Sequence, residues 1–404
     1  MIALVALAGP GVSAVHAAGD PMRGAQWALD AIHADSAPSG AAGAGALVAI
    51  IDSGVESAHP DLAGRVVPGP DFIDGGAPDD PTGHGTHIAG IVAAAAGNGV
   101  GIAGIAPQAR IFAVRVLGPD DNGSAANVAA GINAAVDAGA DVINLSLNWA
   151  QGSQELAPVT AAMQRAADAG RLLVVAAGNG GQGRCEEPVL PHRALCVGAL
   201  SNNLKLAPFS SFGQNLSLVA PGDDITSTYR DGTYQSLSGT SQAAAVTSGV
   251  AAMLVGLGIR GEELMKRLIS TARDIGAPGP DARSGAGMLD AERALDGATQ
   301  NRMPAVLSVD SASRAAADTM SRRGLRVSCD AARAGVCKVK IRAGGSIIAR
   351  GSATVDGTGA FDVLARPTAV GRRLLTSKRA MSGVVDASLS GVARVRRALA
   401  VSGS

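Results

Sequence analysis

Aromatic side chains are nearly absent: five Phe, two Tyr and two Trp make up 2% of the 404 residues. A stacking platform for single-stranded nucleic acid or for long sugar chains needs several such rings, so those binding classes are excluded. Long apolar runs are missing too. The best candidate, residues 243–258, is interrupted by Thr247, Ser248 and three glycines. It falls short of the roughly 18 residues a membrane span requires and reads as a buried core helix. Cysteine is scarce, with Cys185, Cys196, Cys329 and Cys337 forming two close pairs. Neither pair has metal-ligand spacing with companion histidines. Three connectivities are possible, of which the local one, Cys185 with Cys196 and Cys329 with Cys337, is the natural expectation, and it implies an oxidising compartment.

Net charge is also lacking, since 34 basic residues cancel 34 acidic ones. The cancellation is between unlike parts. Residues 1–300 carry 16 Lys and Arg against 28 Asp and Glu, whereas residues 301–404 carry 18 against 6. Such segregation argues for two bodies with different partners.

What is present is a globular composition with 47% hydrophobic residues, built from Ala, Val, Leu and Ile. The length fits two or three domains of about 150 residues each. Residues 1–19 read as a signal-like leader, with an apolar run at 2–8 and a small-residue cleavage site at Val15-His16-Ala17. No Lys or Arg precedes that run, so the leader reads as truncated or misassigned at its start.

From residue 45 to 298, short apolar runs at 46–51, 111–116, 141–145, 172–177, 195–199 and 216–220 alternate with Ala-rich helical stretches near 86–96, 125–138, 157–169 and 242–257. Consecutive apolar residues suit strands buried on both faces, and strand-helix alternation predicts a mostly parallel sheet flanked by helices. Working groups are then expected at the carboxyl ends of the strands. Residues 299–319 read as a linker rich in Ser, Ala and Arg in its second half. Beyond it, alternating runs predict a small all-β, sandwich-like domain over 320–404, in which Lys338, Lys340 and Arg342 share one face.

Three residues are placed for chemistry. Asp52 ends an apolar strand, His84 opens a helix in Gly83-His84-Gly85-Thr86-His87, and Ser241 precedes the long apolar helix in Gly239-Thr240-Ser241. Singly, each has an ordinary structural explanation: a turn former, a helix-start histidine and an N-cap. Zinc is disfavoured, because at least three ligands are needed and no HExxH helix is present. Together they supply a hydroxyl, an imidazole to take its proton and a carboxylate to orient that imidazole. Their order, Asp then His then Ser, differs from that of α/β-hydrolases and of chymotrypsin-like enzymes.

The chain resembles the subtilisin-like (subtilase) serine endopeptidases over roughly residues 20–298. The resemblance rests on Val48-Ala49-Ile50-Ile51-Asp52-Ser53-Gly54-Val55, His59-Pro60-Asp61-Leu62, His84-Gly85-Thr86-His87 and Gly239-Thr240-Ser241. It implies a three-layer subtilisin-like fold, with Ser241 as nucleophile, His84 as general base and acid, and Asp52 as orienting carboxylate. Ala176-Ala177-Gly178-Asn179-Gly180 resembles the oxyanion segment, which makes Asn179 a donor to the developing negative oxygen. Ser146, Leu147 and Asn148, with Gly178, resemble the edge on which substrate backbone is added as a β-strand. The sequence departs from the family at Asn148-Trp149, where glycines usually stand, and at Gln242-Ala243-Ala244-Ala245 after the nucleophile.

The resemblance also implies structural calcium, held by Asp61, Asn98, Val100 and Ile102. The acidic pairs Asp79-Asp80, Asp120-Asp121 and Asp223-Asp224 read as solvated surface. The resulting expectation is a secreted, monomeric endopeptidase acting on proteins or peptides, with no nucleic-acid partner. Its basic tail is expected to hold it on an anionic surface such as a cell envelope. The alternative is a catalytically silent binding or adhesion protein on the same scaffold. Loss of a triad residue would mark it, and none is lost.

Overall fold

The computed structural model divides the chain into two compact units, Met1–Thr299 and Gln300–Ser404. In the first it describes residues 19–37, 41–147, 156–185 and 193–296. In the second it describes 308–310, 314–316, 325–331, 335–343, 346–355, 359–376, 381–389 and 393–402. Each unit has its own sheet, and each is described by itself.

The first unit opens with the short helix α1 (Trp27–Ala31) and continues through β1 (Leu47–Asp52), β2 (Val66–Asp71), α2 (His84–Ala93), β3 (Arg110–Arg115), α3 (Ala125–Asp137) and β4 (Val142–Leu145). It goes on with α4 (Ala157–Asp168), β5 (Leu172–Ala176), β6 (Ala194–Leu200), β7 (Leu218–Pro221), β8 (Ile225–Tyr229) and β9 (Thr233–Leu237). The helices α5 (Thr240–Gly256), α6 (Glu262–Ser270) and α7 (Ala291–Leu295) complete it. Seven strands form one parallel sheet in the order β2-β3-β1-β4-β5-β6-β7, and β8 and β9 form a separate antiparallel hairpin.

All six apolar runs found in the sequence are strands of that sheet. Strands β4 to β7 are buried along their whole length, as parallel strands covered on both faces must be. The core splits accordingly into two clusters. One lies under α2 and α5 and includes Val48, Ile50, Val174 and Val246; the other lies under α3 and α4 and includes Ala49, Ile51, Ile143 and Met163. Alternate residues of β1 thus serve opposite layers. Every residue of α5 is buried, which explains why this helix shows no polar stripe.

Two glycines allow the close approaches that build the working edge. A Cβ on Gly85 would collide with the carbonyl oxygen of Gly54, so the first turn of α2 can lie directly on the loop after Asp52. A Cβ on Gly90 would strike Thr228 Oγ1 and Ser227 Oγ, so β8 can cross α2. The Ser227 and Thr228 hydroxyls then donate to the carbonyls of His87 and Thr86, both at 2.7 Å.

The second unit is an eight-stranded sheet. Its strands are β10 (Ser308–Asp310), β11 (Arg314–Ala316), β12 (Leu325–Ala331), β13 (Gly335–Ala343), β14 (Ser346–Val355), β15 (Gly359–Pro367), β16 (Met381–Leu389) and β17 (Ala393–Ser402). One helix, α8 (Ala369–Thr376), follows β15. The order is β10-β12-β15-β14-β13-β16-β17-β11.

Two details differ from the sequence reading. The stretch read as linker contributes β10 and β11, because three-residue strands give too short a pattern to read while backbone pairing to β12 and β17 still holds them. The second is α8, one helix in an Arg- and Leu-containing stretch between strands of the otherwise all-β unit.

Candidate active site

Asp52 closes β1 and is fully buried. Its Oδ1 accepts from the backbone N–H of Ser53 at 2.8 Å and from His84 Nδ1 at 2.7 Å. Its Oδ2 is buried without a hydrogen-bond partner. A carboxylate so placed fixes the tautomer of His84 with the proton on Nδ1, leaving Nε2 as an acceptor. Burial alone would lower the His84 pKa, but the charge and hydrogen bond of Asp52, helped by Asp121 and Asp80, outweigh it and raise the pKa to about 9.

Asp80 is the residue the sequence reading misplaced. Read there as solvated surface, it is in fact buried beneath the start of α2. Its Oδ1 accepts from Gly83 N at 2.8 Å, Thr82 N at 3.1 Å and the Ser53 hydroxyl at 2.8 Å, while Oδ2 accepts from Thr86 N at 2.8 Å. It therefore satisfies N–H groups that a helix start leaves open. A Pro-Thr-Gly spacer between Asp80 and His84 was the available signal, since an acidic residue just ahead of a helix start is a capping pattern. Of the other acidic pairs, Asp223 accepts from the Ser201 and Ser238 hydroxyls, whereas Asp120 is exposed.

Ser241 is the second residue of α5 and is buried. Its hydroxyl donates to the carbonyl of Ser146 at 3.4 Å, and the Ser146 hydroxyl donates to the Ser241 carbonyl at 3.0 Å. Ser146 follows β4 directly and also accepts from Asn144 Nδ2 at 2.8 Å. Leu147 beside it is buried, and Asn148 lies outside the described residues.

Asn179 follows β5 and is exposed. Its Oδ1 accepts from both the backbone N–H and the hydroxyl of Thr240, each at 2.9 Å. The same hydroxyl accepts from Gly178 N at 3.0 Å. With Oδ1 occupied, the amide presents Nδ2 as a donor, next to the unsatisfied N–H groups of the first turn of α5. Asp52, Ser146 and Asn179 thus stand at the carboxyl ends of the adjacent strands β1, β4 and β5, where α/β sheets place their working groups.

His87, the neighbour of the catalytic candidate, is different in kind. Its Nε2 donates to the carbonyls of Ile225 and Gln235 at 3.0 and 3.1 Å, and its buried Nδ1 has no partner. Burial, with the nearby His84, lowers its pKa to about 4, so it is a neutral clamp between α2 and the β8–β9 hairpin.

The expected calcium residues come together where Asp61, between β1 and β2, meets the loop after α2 that carries Asn98, Val100 and Ile102. Asp61 is fully buried, with Oδ1 accepting from Asn98 Nδ2 at 2.8 Å and Oδ2 from Ile102 N and the Tyr234 hydroxyl, both at 2.9 Å. The sequence reading missed Asp20, also buried, whose carboxylate accepts from Gly97 N at 2.8 Å and Gly99 N at 3.2 Å. Among the described residues no group of three or more His, Cys, Asp or Glu converges. A cation here would depend on two carboxylates plus amide and backbone oxygens. Such an all-oxygen set fits a hard ion, and each carboxylate keeps lone pairs beyond the bonds it accepts.

Cys185 and Cys196 form a disulfide, with their Cα atoms 6.6 Å apart. The other expected pair, Cys329 and Cys337, has side chains outside the described residues. In the backbone, Cys329 faces Phe361 and Cys337 faces Ala353. Among the described residues no helix is long and apolar enough to cross a membrane.

A model of the subtilase family matches residues 43–287. Thermitase of Thermoactinomyces vulgaris is 42% identical over 255 residues, covering 63% of this chain and 90% of the relative. A thermophilic serine proteinase of Bacillus sp. (strain AK1) is 41% identical over 233 residues, 57% of each chain. Subtilisin Savinase of Lederbergia lenta is 40% identical over 230 residues, 56% of this chain and 83% of the relative. The family match ends before the second unit begins.

Proposed function

The chain belongs to the subtilase family and is a serine-type endopeptidase, and on that premise we propose that it is secreted and cuts peptide bonds through an acyl-enzyme on Ser241. The observation that carries the mechanism is the 2.7 Å contact between His84 Nδ1 and Asp52 Oδ1, which leaves Nε2 to accept a proton. When substrate enters, the Ser241 hydroxyl exchanges its long contact with the Ser146 carbonyl for His84 Nε2. His84 takes the proton as Ser241 Oγ attacks the scissile carbonyl. Asp52 stabilises the imidazolium, and His84 then hands the proton to the leaving amine. Water repeats the sequence to release the acyl group.

The oxyanion is held by Asn179 Nδ2 and the backbone N–H of Ser241, at the positive end of α5. Thr240 supports this by holding Asn179 Oδ1 from two sides, so the donor is aimed before substrate arrives. Ser146, Leu147, Asn148 and Gly178 receive the substrate backbone as an added strand.

Calcium would be held by Asp61, Asn98 and the carbonyls of Val100 and Ile102, with Asp20 facing the same loop. The ion would supply cross-linking, tying the segment at Asp20 to the loop after α2. Secretion is supported by the Cys185–Cys196 bridge, which requires an oxidising compartment. For the second unit, its excess of basic residues supports attachment to an anionic cell-envelope surface, with the chain acting as a monomer.

Digestion of a random peptide library by the wild type and by Ser241→Ala tests the reading. Cleavage by the first and none by the second is expected. Equal product from both would remove Ser241 from its role.

A further inference from the structure

The basic residues of the second unit are ordered. In β13, Lys338 and Lys340 are exposed and alternate with buried Val339 and Ile341, so the two lysines share the solvent face of the sheet. The register then sets Lys340 opposite Arg350 on β14, and Arg350 opposite Arg366 on β15. All three are exposed. At a strand separation of about 4.8 Å they form a straight row roughly 10 Å across. Among the described residues, none of the three has a hydrogen-bond or ion-pair partner.

Like charges directly opposite one another on neighbouring strands destabilise a sheet. On its other side Lys340 faces Asp386 of β16, so the run of cations spans β15, β14 and β13 and ends there. We propose that this row is a docking track for a linear polymer of repeating phosphodiester groups that carries no bases. This deepens, and rests on, the reading of the second unit as an envelope-attachment module.

Phosphate chemistry suits the row because two of its three members are arginines, whose planar fork meets two oxygens of one phosphate at once. A chain that follows the row meets a cation at each of β15, β14 and β13. Lys338, opposite Ser352 in the next row, adds charge to one side. The face offers no described aromatic on which a base could stack. Among the described residues of β13, β14 and β15 the one exposed large apolar side chain, Leu364, two residues from Arg366, is too little to anchor in a bilayer.

The test uses the full chain with Ser241→Ala, to prevent self-cleavage, and poly(glycerol phosphate) as the probe across a salt series. Binding should weaken with salt at a log–log slope of about −2, the value for three phosphate contacts at about 0.7 each. Adding Lys340→Gln, Arg350→Gln and Arg366→Gln together should lower affinity at least tenfold, flatten the slope and leave peptidase activity unchanged when Ser241 is restored. A substitution-free measurement stands beside it: polymer should protect Lys340 from reductive methylation while the exposed Lys205 of the first unit stays reactive.

Unchanged affinity and slope in the triple variant, or an unprotected Lys340, would overturn the proposal. So would tighter binding per phosphate to single-stranded DNA, stronger binding to anionic phospholipid vesicles than to the polymer, or low-salt self-association through the same three residues. If the triple variant still binds whole cell envelopes, the row fails while envelope attachment stands. If the parent binds neither envelope nor polymer, both fail.

Discussion

Asp80 accepts the hydroxyl of Ser53 at 2.8 Å, and that same hydroxyl lies 3.2 Å from Asp52 Oδ1. A hydroxyl has one proton to give, and the shorter contact assigns it to Asp80. Ser53 also accepts Gly85 N at 3.0 Å, so Asp80 fixes both the loop after Asp52 and the first turn of α2, which carries His84. Asp80 therefore holds together the two segments that carry Asp52 and His84.

Asp80→Asn should lower kcat with little change in KM, because it loosens His84 rather than the substrate edge. Removing a nearby negative charge should also lower the pH at which activity rises, since Asp80 is one of the groups raising the His84 pKa. A pH profile of kcat/KM for the variant checks both. A purely structural loss would lower the melting temperature and leave the profile in place.

The same profile of the wild type should rise with pH. His84 must be neutral to accept a proton, and its pKa is raised to about 9, so activity should climb through pH 8 to 10. Asp52→Asn removes the strongest raising influence. It should move the rise toward the ordinary histidine value of 6.5 while cutting turnover by about 10⁴-fold. The linked stability has the opposite sense: the contribution of protonated His84 is complete below pH 6.5 and is lost as pH rises through 9. Thermal melts of Ser241→Ala with and without His84→Ala would record it.

Asn179→Ala should lower kcat by about 10² to 10³-fold with KM nearly unchanged, because the amide contacts charge that exists only in the transition state. Thr240→Val keeps the backbone donor but loses the hydroxyl that grips Asn179 Oδ1. Its loss should be smaller and again confined to kcat. Steady-state kinetics on one peptide substrate separates these outcomes.

Chelation should lower the melting temperature of Ser241→Ala, and added calcium should restore it. Asp61→Asn should abolish the difference between chelated and calcium-loaded protein. Calorimetry with and without chelator reads this without relying on activity.

Much of this was legible in the sequence because strand burial and triad chemistry leave strong local marks. The six apolar runs are short and apolar on consecutive residues, which suits strands of a parallel sheet covered on both faces. Asp52 ends β1, His84 begins α2 and Ser241 lies in the first turn of α5, and sequence signals are sharp at such ends. Less local features escaped. Asp80 looked like surface because its partners, Ser53 and Thr86, become neighbours only after α2 packs on the loop beyond β1. Asp20 gave no sign of facing Gly97 and Gly99, nearly eighty positions away. The hairpin β8–β9 escaped because its strands, partly polar, are held by His87 and by hydroxyls to α2 rather than by an apolar pattern. In the second unit, the alternation at Lys338 and Lys340 was readable. The row with Arg350 and Arg366 needed the cross-strand register.

The central claim is that Ser241 is the activated nucleophile. Mass spectrometry after treatment with a sulfonyl fluoride tests it most directly. The wild type should gain one sulfonyl group, mapped to Ser241, with loss of casein cleavage. His84→Ala should label far more slowly, and Ser241→Ala should not label. Labelling elsewhere with Ser241 unmodified, or casein cleavage that survives Ser241→Ala, would contradict the account.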